Sequence, residues 1–429
     1  MNPYRDNAAL SIYVPIPTHI APRTRRNNPA LTDPGIFILD IDRTRLHLSI
    51  YKSMVIEIVG IIIVVNASSF LSSLNHYSYR YHMKIAVVGI GVAGAYVMNR
   101  LGDDHDNHVV GFERMSDKTH DAVCAWATSE NTMSGLIAKC GLNFDDYILH
   151  QGECMTVDIG KDENFCAAES IDLRLKGMVS YDKLKVIQDM IRGTDIRFGK
   201  VPNKKDLEDN FDLIVDSTGF HRDYLPKPSN ETWIPCVQYK MKYESGKTPF
   251  DDFYLKAFPS MAGYFWYFPL GNGYAHIGAG DYQRKNNNRF VEKFLHRYKG
   301  QIIKKVGRPV RISPPKNSEP FTDGRKTIGV GESIGTVYPL LGEGIIPSTW
   351  CAELFIQNLE NLSQYRRSVL KKFEIYSLVF KFIQRKISGR FSFFKNAFEL
   401  LRLYNHMKGQ EDRYGMEIRA GDLMKVAKL

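Results

Sequence analysis

The stretch Lys84-Ile-Ala-Val-Val-Gly89-Ile-Gly91-Val-Ala-Gly94-Ala95-Tyr-Val-Met-Asn-Arg-Leu101 determines the fold prediction for this chain. Its first residues are apolar and partly β-branched, as in a buried strand, and its last residues favour a helix. Between them, Gly89 makes a tight turn, Gly91 lets the backbone approach a pyrophosphate and Gly94 lets the helix pack closely on the strand. The order strand, glycine turn, helix predicts a dinucleotide-binding unit in which the helix N-terminus faces the phosphates.

A second strand, His108-Val-Val-Gly-Phe-Glu113, ends in an acid 19 residues after Gly94. A carboxylate at this position accepts hydrogen bonds from ribose hydroxyls in dinucleotide-binding folds. The alternative is a structural glycine turn followed by a surface glutamate. The pattern leaves the cofactor open, because FAD and NAD use the same turn.

A second glycine-rich segment lies far along the chain. Thr327-Ile-Gly-Val-Gly331-Glu332 is typical of a strand that ends in an acid, and Tyr338-Pro339-Leu-Leu-Gly342-Glu-Gly344-Ile345 precedes a helix that runs through Trp350 to Leu359. The N-terminus of that helix offers free N–H groups to an anionic group. Phe211-Asp-Leu-Ile-Val-Asp216 is a further strand between the two segments. Three such segments favour one nucleotide-binding domain built from distant parts of the chain.

The composition is that of an ordinary folded protein, with 429 residues, 44% hydrophobic and 24% charged. It excludes a disordered chain, a collagen-like repeat and a multi-span membrane protein, and the length predicts two or three domains. The net charge of +10 suits an anionic partner, whether nucleic acid, a phosphorylated small molecule or a lipid surface. The six cysteines form no CxxC pair and no cluster with metal-ligand spacing, so we expect free thiols in a reducing compartment and no metal site.

Residues 1–82 differ from the rest of the chain. A polar, proline-dotted stretch runs into the apolar segment Met54–Val65, which is short for a spanning helix and follows several arginines. Met83 stands immediately before the first strand of the dinucleotide unit. We therefore expect residues 1–82 to be a poorly ordered extension or a mis-assigned start, with a membrane-associated segment as the alternative.

The segment Gly263-Tyr264-Phe-Trp266-Tyr-Phe268-Pro269 resembles the YxWxFP motif of the geranylgeranyl reductase family, which includes archaeal digeranylgeranylglycerophospholipid reductases. The resemblance covers roughly Lys84 to Leu359. It implies an α/β fold: an FAD-binding, Rossmann-like three-layer domain of the aromatic-hydroxylase type with an inserted antiparallel substrate sheet and a helical C-terminal region. The implied divisions are 83–228 with 312–360 for FAD, 229–311 for the substrate sheet and 361–429 for the helical region.

The same resemblance implies the residues that hold FAD. The family has a cysteine loop beside the flavin, and Cys124 follows Glu113 at the family's spacing of eleven residues. The implied cofactor-binding residues are Gly89, Gly91, Gly94, Glu113, Cys124, Ala125, Ala127, Val201, Glu332, Gly344 and Ile345. Three positions depart from the family. Ala125-Trp126-Ala127 replaces a glycine-rich stretch, Glu332 replaces an aspartate, and Met178 stands where the family has an arginine.

The reaction that the resemblance implies is the saturation of C=C bonds in geranylgeranyl chains of membrane ether lipids or their precursors. An isolated alkene needs a well-placed hydride, from flavin N5, and a proton from a nearby acid. Cys124 is the candidate catalytic residue, as proton donor or alkene-positioning group, and its alternative is a small buried hydrophobe. Tyr264, Trp266 and Phe268 share one face of a strand and are expected to line the lipid site, with plain core packing as the alternative.

Two other functions stay open. One is a flavin-dependent monooxygenase or halogenase on the same fold, although Asp216-Ser-Thr-Gly219 lacks the adjacent Asp-Gly pair usual in hydroxylases. The other is a non-catalytic, flavin- and lipid-binding paralogue, which the altered loop after Cys124 permits. We expect a monomer that receives electrons from ferredoxin or NAD(P)H.

Between Arg366 and Arg402, ten Lys and Arg residues and two acids are interleaved with seven phenylalanines. Basic helices with large apolar residues bind anionic membrane surfaces. We therefore expect a peripheral protein at the cytoplasmic face of the cell membrane, with a solvated helix face as the alternative. A single-strand nucleic-acid surface has a similar composition, but the glycine segments make it unnecessary and no nucleic-acid partner is expected.

Overall fold

The computed structural model describes residues 54–58, 61–65, 83–102, 107–160, 163–259 and 262–428. The chain divides into two compact units, Met1–Ser78 and Tyr79–Leu429. In the first unit, β1 (Met54–Ile58) and β2 (Ile61–Val65) pair antiparallel. The apolar segment therefore contains two short strands, and the rest of the predicted extension 1–82 lies outside the described residues. None of the helices that the structure describes is long and apolar enough to cross a membrane.

A parallel sheet forms the centre of the second unit. Its strands are β3 (Met83–Val88), β4 (Asn107–Glu113), β10 (Ile196–Phe198), β11 (Leu213–Asp216) and β17 (Thr327–Gly329). They lie in the order β10-β4-β3-β11-β17, and every neighbouring pair is parallel. Residues 85–88 of β3 are buried, as expected for a strand covered on both faces. The predicted α/β fold, with its first strands and glycine turn, is confirmed.

Four helices accompany this sheet: α1 (Val92–Gly102), α3 (Lys183–Met190), α4 (Lys204–Asn210) and α6 (Ile345–Gln357). Helix α1 packs against both α3 and α6. The two helices that follow the glycine-rich segments, α1 and α6, therefore lie side by side although the sequence separates them widely. A smaller sheet, in the order β5-β9-β6, stands beside α2 (Glu130–Ala138). Its strands are β5 (Ala127–Ser129), β6 (Ile148–Gln151) and β9 (Met178–Tyr181).

The second large sheet has seven strands. They are β7 (Cys154–Asp158), β8 (Ser170–Arg174), β12 (Trp233–Lys242), β13 (Phe253–Ala257), β14 (Gly263–Pro269), β15 (Tyr274–Asp281) and β16 (Gln301–Arg311). Their order is β16-β12-β15-β14-β13-β7-β8, antiparallel except between β13 and β7. This sheet is wider than the predicted range 229–311, because β7 and β8 come from residues assigned to the FAD domain. Strand β7 pairs with the edge that β13 would otherwise leave open, and β8 pairs with β7.

A buried ion pair joins the two parts of this sheet. Lys256 of β13 and Asp158 of β7 stand opposite each other, with 2.8 Å between Nζ and Oδ1, and both are 1% exposed. The hydroxyl of Tyr254 donates to the other oxygen of Asp158 at 2.7 Å. On one face of the sheet, α5 (Asn287–Arg297) contributes to an aromatic cluster that includes Phe165, Phe265 and Phe294.

The C-terminal region is helical, as predicted. It contains α7 (Leu362–Lys372), α8 (Glu374–Ile387), α9 (Phe393–Lys408), α10 (Glu411–Tyr414) and α11 (Ala420–Lys428). Phe373, Phe380 and Phe382 are buried, whereas Phe394 and Phe398 are exposed. The predicted basic and aromatic surface therefore does not extend over all of 366–402. Several phenylalanines around α7 and α8 pack into the core, and the exposed phenylalanines lie on α9.

Candidate active site

The glycine turn between β3 and α1 has the close approaches that the sequence predicts. Gly89 has a φ of +89°, and a Cβ atom there would lie 2.7 Å from the carbonyl oxygen of Ser217. A Cβ atom on Gly94 would lie 2.0 Å from the carbonyl oxygen of Gly89. Gly91 differs, because no atom lies within 4 Å of the place its Cβ would take. The turn is therefore tight within the protein and open at Gly91, beside the N–H groups of the first turn of α1.

Glu113 holds this turn from the end of β4. One carboxylate oxygen accepts a hydrogen bond from the N–H of Ile90 at 2.9 Å, and the other accepts one from the N–H of Met115 at 2.9 Å. A carboxylate has further lone pairs for additional donors. Its position beside the turn suits the predicted bond to a ribose, which stays a prediction.

The second glycine-rich loop is held from two sides. The hydroxyl of Tyr264 donates to the carbonyl oxygen of Leu341. The Glu343 carboxylate accepts a hydrogen bond from the N–H of Ile346, in the first turn of α6, at 3.0 Å, and it contacts the guanidinium of Arg413. Arg413 is 6% exposed. Burial lowers the pKa of Arg413, but Glu343 and the neighbouring tyrosines together raise it by more, so the net shift is upward. The C-terminal region thus fixes the loop that precedes α6.

One cavity of about 440 Å³ connects the two glycine segments with the large sheet. Ten of the predicted site residues line it: Gly91, Cys124, Ala125, Ala127, Tyr264, Trp266, Phe268, Glu332, Gly344 and Ile345. The other predicted residues lie outside its lining. Gly89, Gly94 and Glu113 build the turn, and Val201 packs against a separate apolar cluster around Phe112. The structure therefore brings the predicted flavin-binding and lipid-binding residues to one space.

The loop that carries Cys124 is held by several side-chain contacts although it lacks the glycines of the family pattern. Trp126 is buried with a φ of +66°, and its indole N–H donates to the carbonyl oxygen of Ala122 at 2.7 Å. His276 of β15 lies against this indole, and its Nδ1 is 3.3 Å from the carbonyl oxygen of Ala125. Burial lowers the pKa of His276 to about 4, so the ring is neutral at pH 7 and can donate one N–H to that carbonyl.

Strand β14 divides its aromatic residues between two faces, as predicted. Tyr264, Trp266 and Phe268 line the cavity, whereas Phe265 and Tyr267 are fully buried in the aromatic cluster under α5. This alternation follows from the period of two in a strand. The three aromatic residues therefore border a cavity, and their binding of a lipid stays a prediction.

Glu332 meets the large sheet at the cavity wall. One carboxylate oxygen lies 2.7 Å from the Arg308 guanidinium, and the other accepts a hydrogen bond from the N–H of Arg311 at 2.9 Å. Arg308 lines the same cavity. Glu332 is one methylene longer than the aspartate of the family pattern, and its carboxylate contacts Arg308 and Arg311 of β16.

Several residues of the site were not predicted. Ile234, Cys236 and Gln238 line the cavity from β12, and their spacing of two was a signal available in the sequence. Burial raises the pKa of Cys236 to about 12, so its thiol is neutral at pH 7. Lys183 is a buried cavity residue at the start of α3. Neither Lys183 nor Arg413 has a local pattern that marks it.

The segment that supplies most of the aromatic wall also matches a known domain. Residues 233–312, which contain β12 to β16, match the family model of the geranylgeranyl reductase catalytic domain. Over this segment the chain is similar to the geranylgeranyl reductase family.

Curated members of the geranylgeranyl reductase family align with this chain over part of its length. The digeranylgeranylglycerophospholipid reductase of Thermoplasma acidophilum is 29% identical over 154 residues, which cover 33% of this chain and 38% of the relative. That of Picrophilus torridus is 28% identical over 234 residues, which cover 48% of this chain and 57% of the relative. The chain therefore spans roughly two fifths to three fifths of the curated relatives it matches.

Solved structures extend the similarity of this chain at the level of the fold. A geranylgeranyl bacteriochlorophyll reductase-like protein from Thermoplasma acidophilum has a TM-score of 0.54 at 16% identity, covering 80% of this chain and 95% of that one. A probable FAD-dependent monooxygenase from Pseudomonas aeruginosa has a TM-score of 0.52 at 12% identity, covering 72% and 97%. A flavin-dependent brominase has a TM-score of 0.55 at 12% identity, covering 81% and 99%.

Proposed function

We propose that this protein is an FAD-dependent reductase that saturates C=C bonds in the geranylgeranyl chains of membrane ether lipids or their precursors. The observation that carries the proposal is the shared cavity. Gly91 of the first glycine turn and Ile345 of the second helix start border the same space as Tyr264, Trp266 and Phe268. A cofactor held by the glycine segments would therefore meet an apolar chain held by the aromatic residues.

The residues present fit FAD. The open space beside Gly91 leaves room for a phosphate group close to the backbone, and the first N–H groups of α1 suit an anion. Glu113 is proposed to accept hydrogen bonds from the ribose. Gly344 and Ile345, at the start of α6, are proposed to hold the flavin end. FAD supplies a hydride from reduced N5 when bound.

The chain itself would provide the proton and the dry surroundings. An isolated alkene has no carbonyl to stabilise negative charge, so a proton donor has to stand beside the receiving carbon. Cys124 borders the cavity, and its thiol is the proposed proton donor or alkene-positioning group. Met155, Val157 and Leu255 add apolar side chains to the same lining. Such walls exclude water and leave the prenyl chain in contact with Cys124.

Partners and location belong to the same proposal. The protein would act as a monomer, receive electrons from ferredoxin or NAD(P)H and work at the cytoplasmic face of the cell membrane. The basic helical C-terminal region, which also lines the cavity through Met407 and Leu423, supports the membrane part of this proposal.

Mass spectrometry after anaerobic reduction tests the reaction. The purified full chain is examined for bound FAD, reduced, and incubated with a detergent-dispersed geranylgeranyl lipid. Stepwise gains of two hydrogen atoms per double bond are expected. Gain of an oxygen atom would support the monooxygenase alternative, and an unchanged lipid with bound FAD would support the non-catalytic alternative. A protein that binds no flavin would overturn the proposal.

Cysteine variants test the proton donor. Cys124→Ala is expected to keep FAD and lose most of the reduction rate, whereas Cys124→Ser should retain part of it because a hydroxyl can still donate. Cys166→Ala, at an exposed cysteine, is the matched control. Equal rates in Cys124→Ala and the control would remove Cys124 from the reaction.

A further inference from the structure

Helix α9 carries apolar residues on two opposite faces. Its inward face contains the buried residues Leu400, Leu403 and Met407, together with the buried Asn396. At about 100° per residue, the positions Phe394, Phe398 and Leu401 fall on the opposite side, and they are 97%, 78% and 55% exposed. Single exposed apolar residues are common, but three on one helical face form a patch, which we call the outer face of α9.

Basic residues border the outer face. Lys395 and Arg402 directly follow Phe394 and Leu401, so both lie along the same flank of the helix, and both are exposed. Among the described residues Lys395 has no carboxylate partner, and Arg402 makes only a 3.8 Å contact with the exposed Glu374. The flank is therefore free to meet anionic headgroups, and the long stems of these side chains allow their charges to stay at the polar surface.

The one acid of the helix is already paired with other side chains of the protein. Glu399 contacts Arg385 of the preceding helix and accepts a hydrogen bond from the Asn396 amide at 3.1 Å. The charge of Glu399 is thus balanced by a partly exposed arginine of the protein itself. The outer face and its flank together present three apolar and two cationic side chains, which is the pattern of a helix that lies in a membrane interface.

Helix α9 also borders the proposed active site. Met407 of its inward face lines the cavity, as do Ile383 of α8 and Leu423 and Val426 of α11. The helix is about 24 Å long at 1.5 Å per residue. If it lay in the plane of a bilayer, the C-terminal wall of the cavity would stand directly at the lipid surface.

We propose that the outer face of α9 docks on an anionic lipid bilayer, with Phe394, Phe398 and Leu401 among the acyl chains and Lys395 and Arg402 at the headgroups. The idea that docking delivers a prenyl lipid to the cavity rests on the proposed function. The docking itself does not require the protein to reduce a lipid. A membrane is favoured over a second protein copy because the apolar strip is narrow and convex, and a cationic flank repels its own copy across a symmetric contact.

Vesicle flotation of the full-length flavoprotein tests the docking. The wild type is compared with Phe394→Ser/Phe398→Ser on vesicles of phosphatidylcholine with phosphatidylglycerol. The double variant should partition at least about tenfold less, since it loses two large apolar anchors. Lys395→Gln/Arg402→Gln should weaken binding mainly to the anionic vesicles, and added salt should reduce the difference. In Phe398→Trp, the tryptophan emission should shift to shorter wavelength on vesicle addition.

The matched control is Ile302→Ser/Ile303→Ser, which removes two exposed isoleucines, 50% and 45% accessible, from β16. It should bind vesicles as the wild type does. Equal partitioning of the wild type and the Phe394→Ser/Phe398→Ser variant would overturn the proposal, as would a shift of that variant from dimer to monomer in sedimentation velocity. FAD content and reduction of a detergent-dispersed lipid should be unchanged in both variants, so a failure of docking is distinguishable from a failure of the proposed function.

Discussion

The imidazole of His276 packs edge-on against the indole of Trp126, with ring centroids 4.8 Å apart. Its Nδ1 also lies 3.3 Å from the carbonyl oxygen of Ala125. One residue of the large sheet therefore contacts both residues that follow Cys124. This contact sets the position of the cysteine loop, where the family pattern would use glycines.

The stability of the protein should depend on pH through His276. Burial lowers its pKa from 6.5 to about 4, so the unfolded state binds the proton more readily. The contribution of this group to the free energy of unfolding is fully present above pH 6.5 and is lost as the pH falls towards 4. The total is on the order of 3 kcal/mol.

Urea unfolding at several pH values measures this effect. The wild type should lose more stability between pH 6.5 and 4 than His276→Phe, which has no group to protonate there. The flavin spectrum of the variant at pH 7 shows in addition whether the Cys124 loop has moved. Parallel stability curves for the two proteins would contradict the assignment.

Two glycines of the same turn should respond differently to alanine. Gly94→Ala places a Cβ 2.0 Å from a backbone oxygen and should cost about 1–3 kcal/mol of stability. Gly91→Ala places its Cβ in open space and should leave the free energy of unfolding almost unchanged, yet reduce FAD content. Urea unfolding and flavin extraction measure the two effects. A Gly91→Ala protein with full FAD would argue against a phosphate at this backbone.

The contact between Arg413 and Glu343 should be strongly coupled. Arg413→Met leaves the Glu343 carboxylate without its buried partner and should cost about 3–5 kcal/mol. Glu343→Gln/Arg413→Met should cost less than the sum of the single changes. A double-mutant cycle by urea unfolding gives the coupling, and Arg192→Met, at an exposed ion pair with Asp189, is the control with a much smaller loss. Additive losses would show that the two side chains act independently.

Removal of one partner of the buried ion pair between Lys256 and Asp158 should likewise lower the free energy of unfolding, here through the seven-stranded sheet. Lys256→Met strands a buried carboxylate and should cost about 3–5 kcal/mol, whereas Lys256→Met/Asp158→Leu should recover part of that loss because no unpaired charge remains. Thermal unfolding of the three proteins checks the order. A double variant less stable than Lys256→Met would contradict this reasoning.

The sequence predicted the parts of the site that depend on local backbone geometry. Gly89 and Gly94 are needed where two backbone segments approach each other closely. The alternation of cavity-facing and buried aromatic residues around Trp266 follows from the geometry of one strand. Both features were therefore visible in short sequence motifs. The arrangement of β7 beside β13 was not predictable in this way, because it depends on pairing between residues about 100 positions apart. For that reason, the prediction assigned β7 to the FAD domain and β13 to the substrate sheet.

Side chains that act from a distance were also missed. Arg413 reaches Glu343 across 70 positions of sequence, and His276 reaches Ala125 across 151. Neither has a spacing rule. The basic stretch after Arg366 was recognised as a whole, but only the folded chain shows that Phe382 is buried and Phe394 is exposed. Burial is decided by neighbouring helices, which composition does not reveal.

The order in which the strands occur along the chain has a consequence for biosynthesis. The parallel sheet begins with β3 at Met83 and receives its last strand, β17, only at Thr327, and α6 follows later still. Within the second unit, the glycine turn is thus synthesised first, and the loop with which it shares a cavity emerges more than 200 residues later. Under the proposed function, a nucleotide cofactor held by both segments would be captured late in synthesis, and a product truncated before Gly344 would lack the second half of its site.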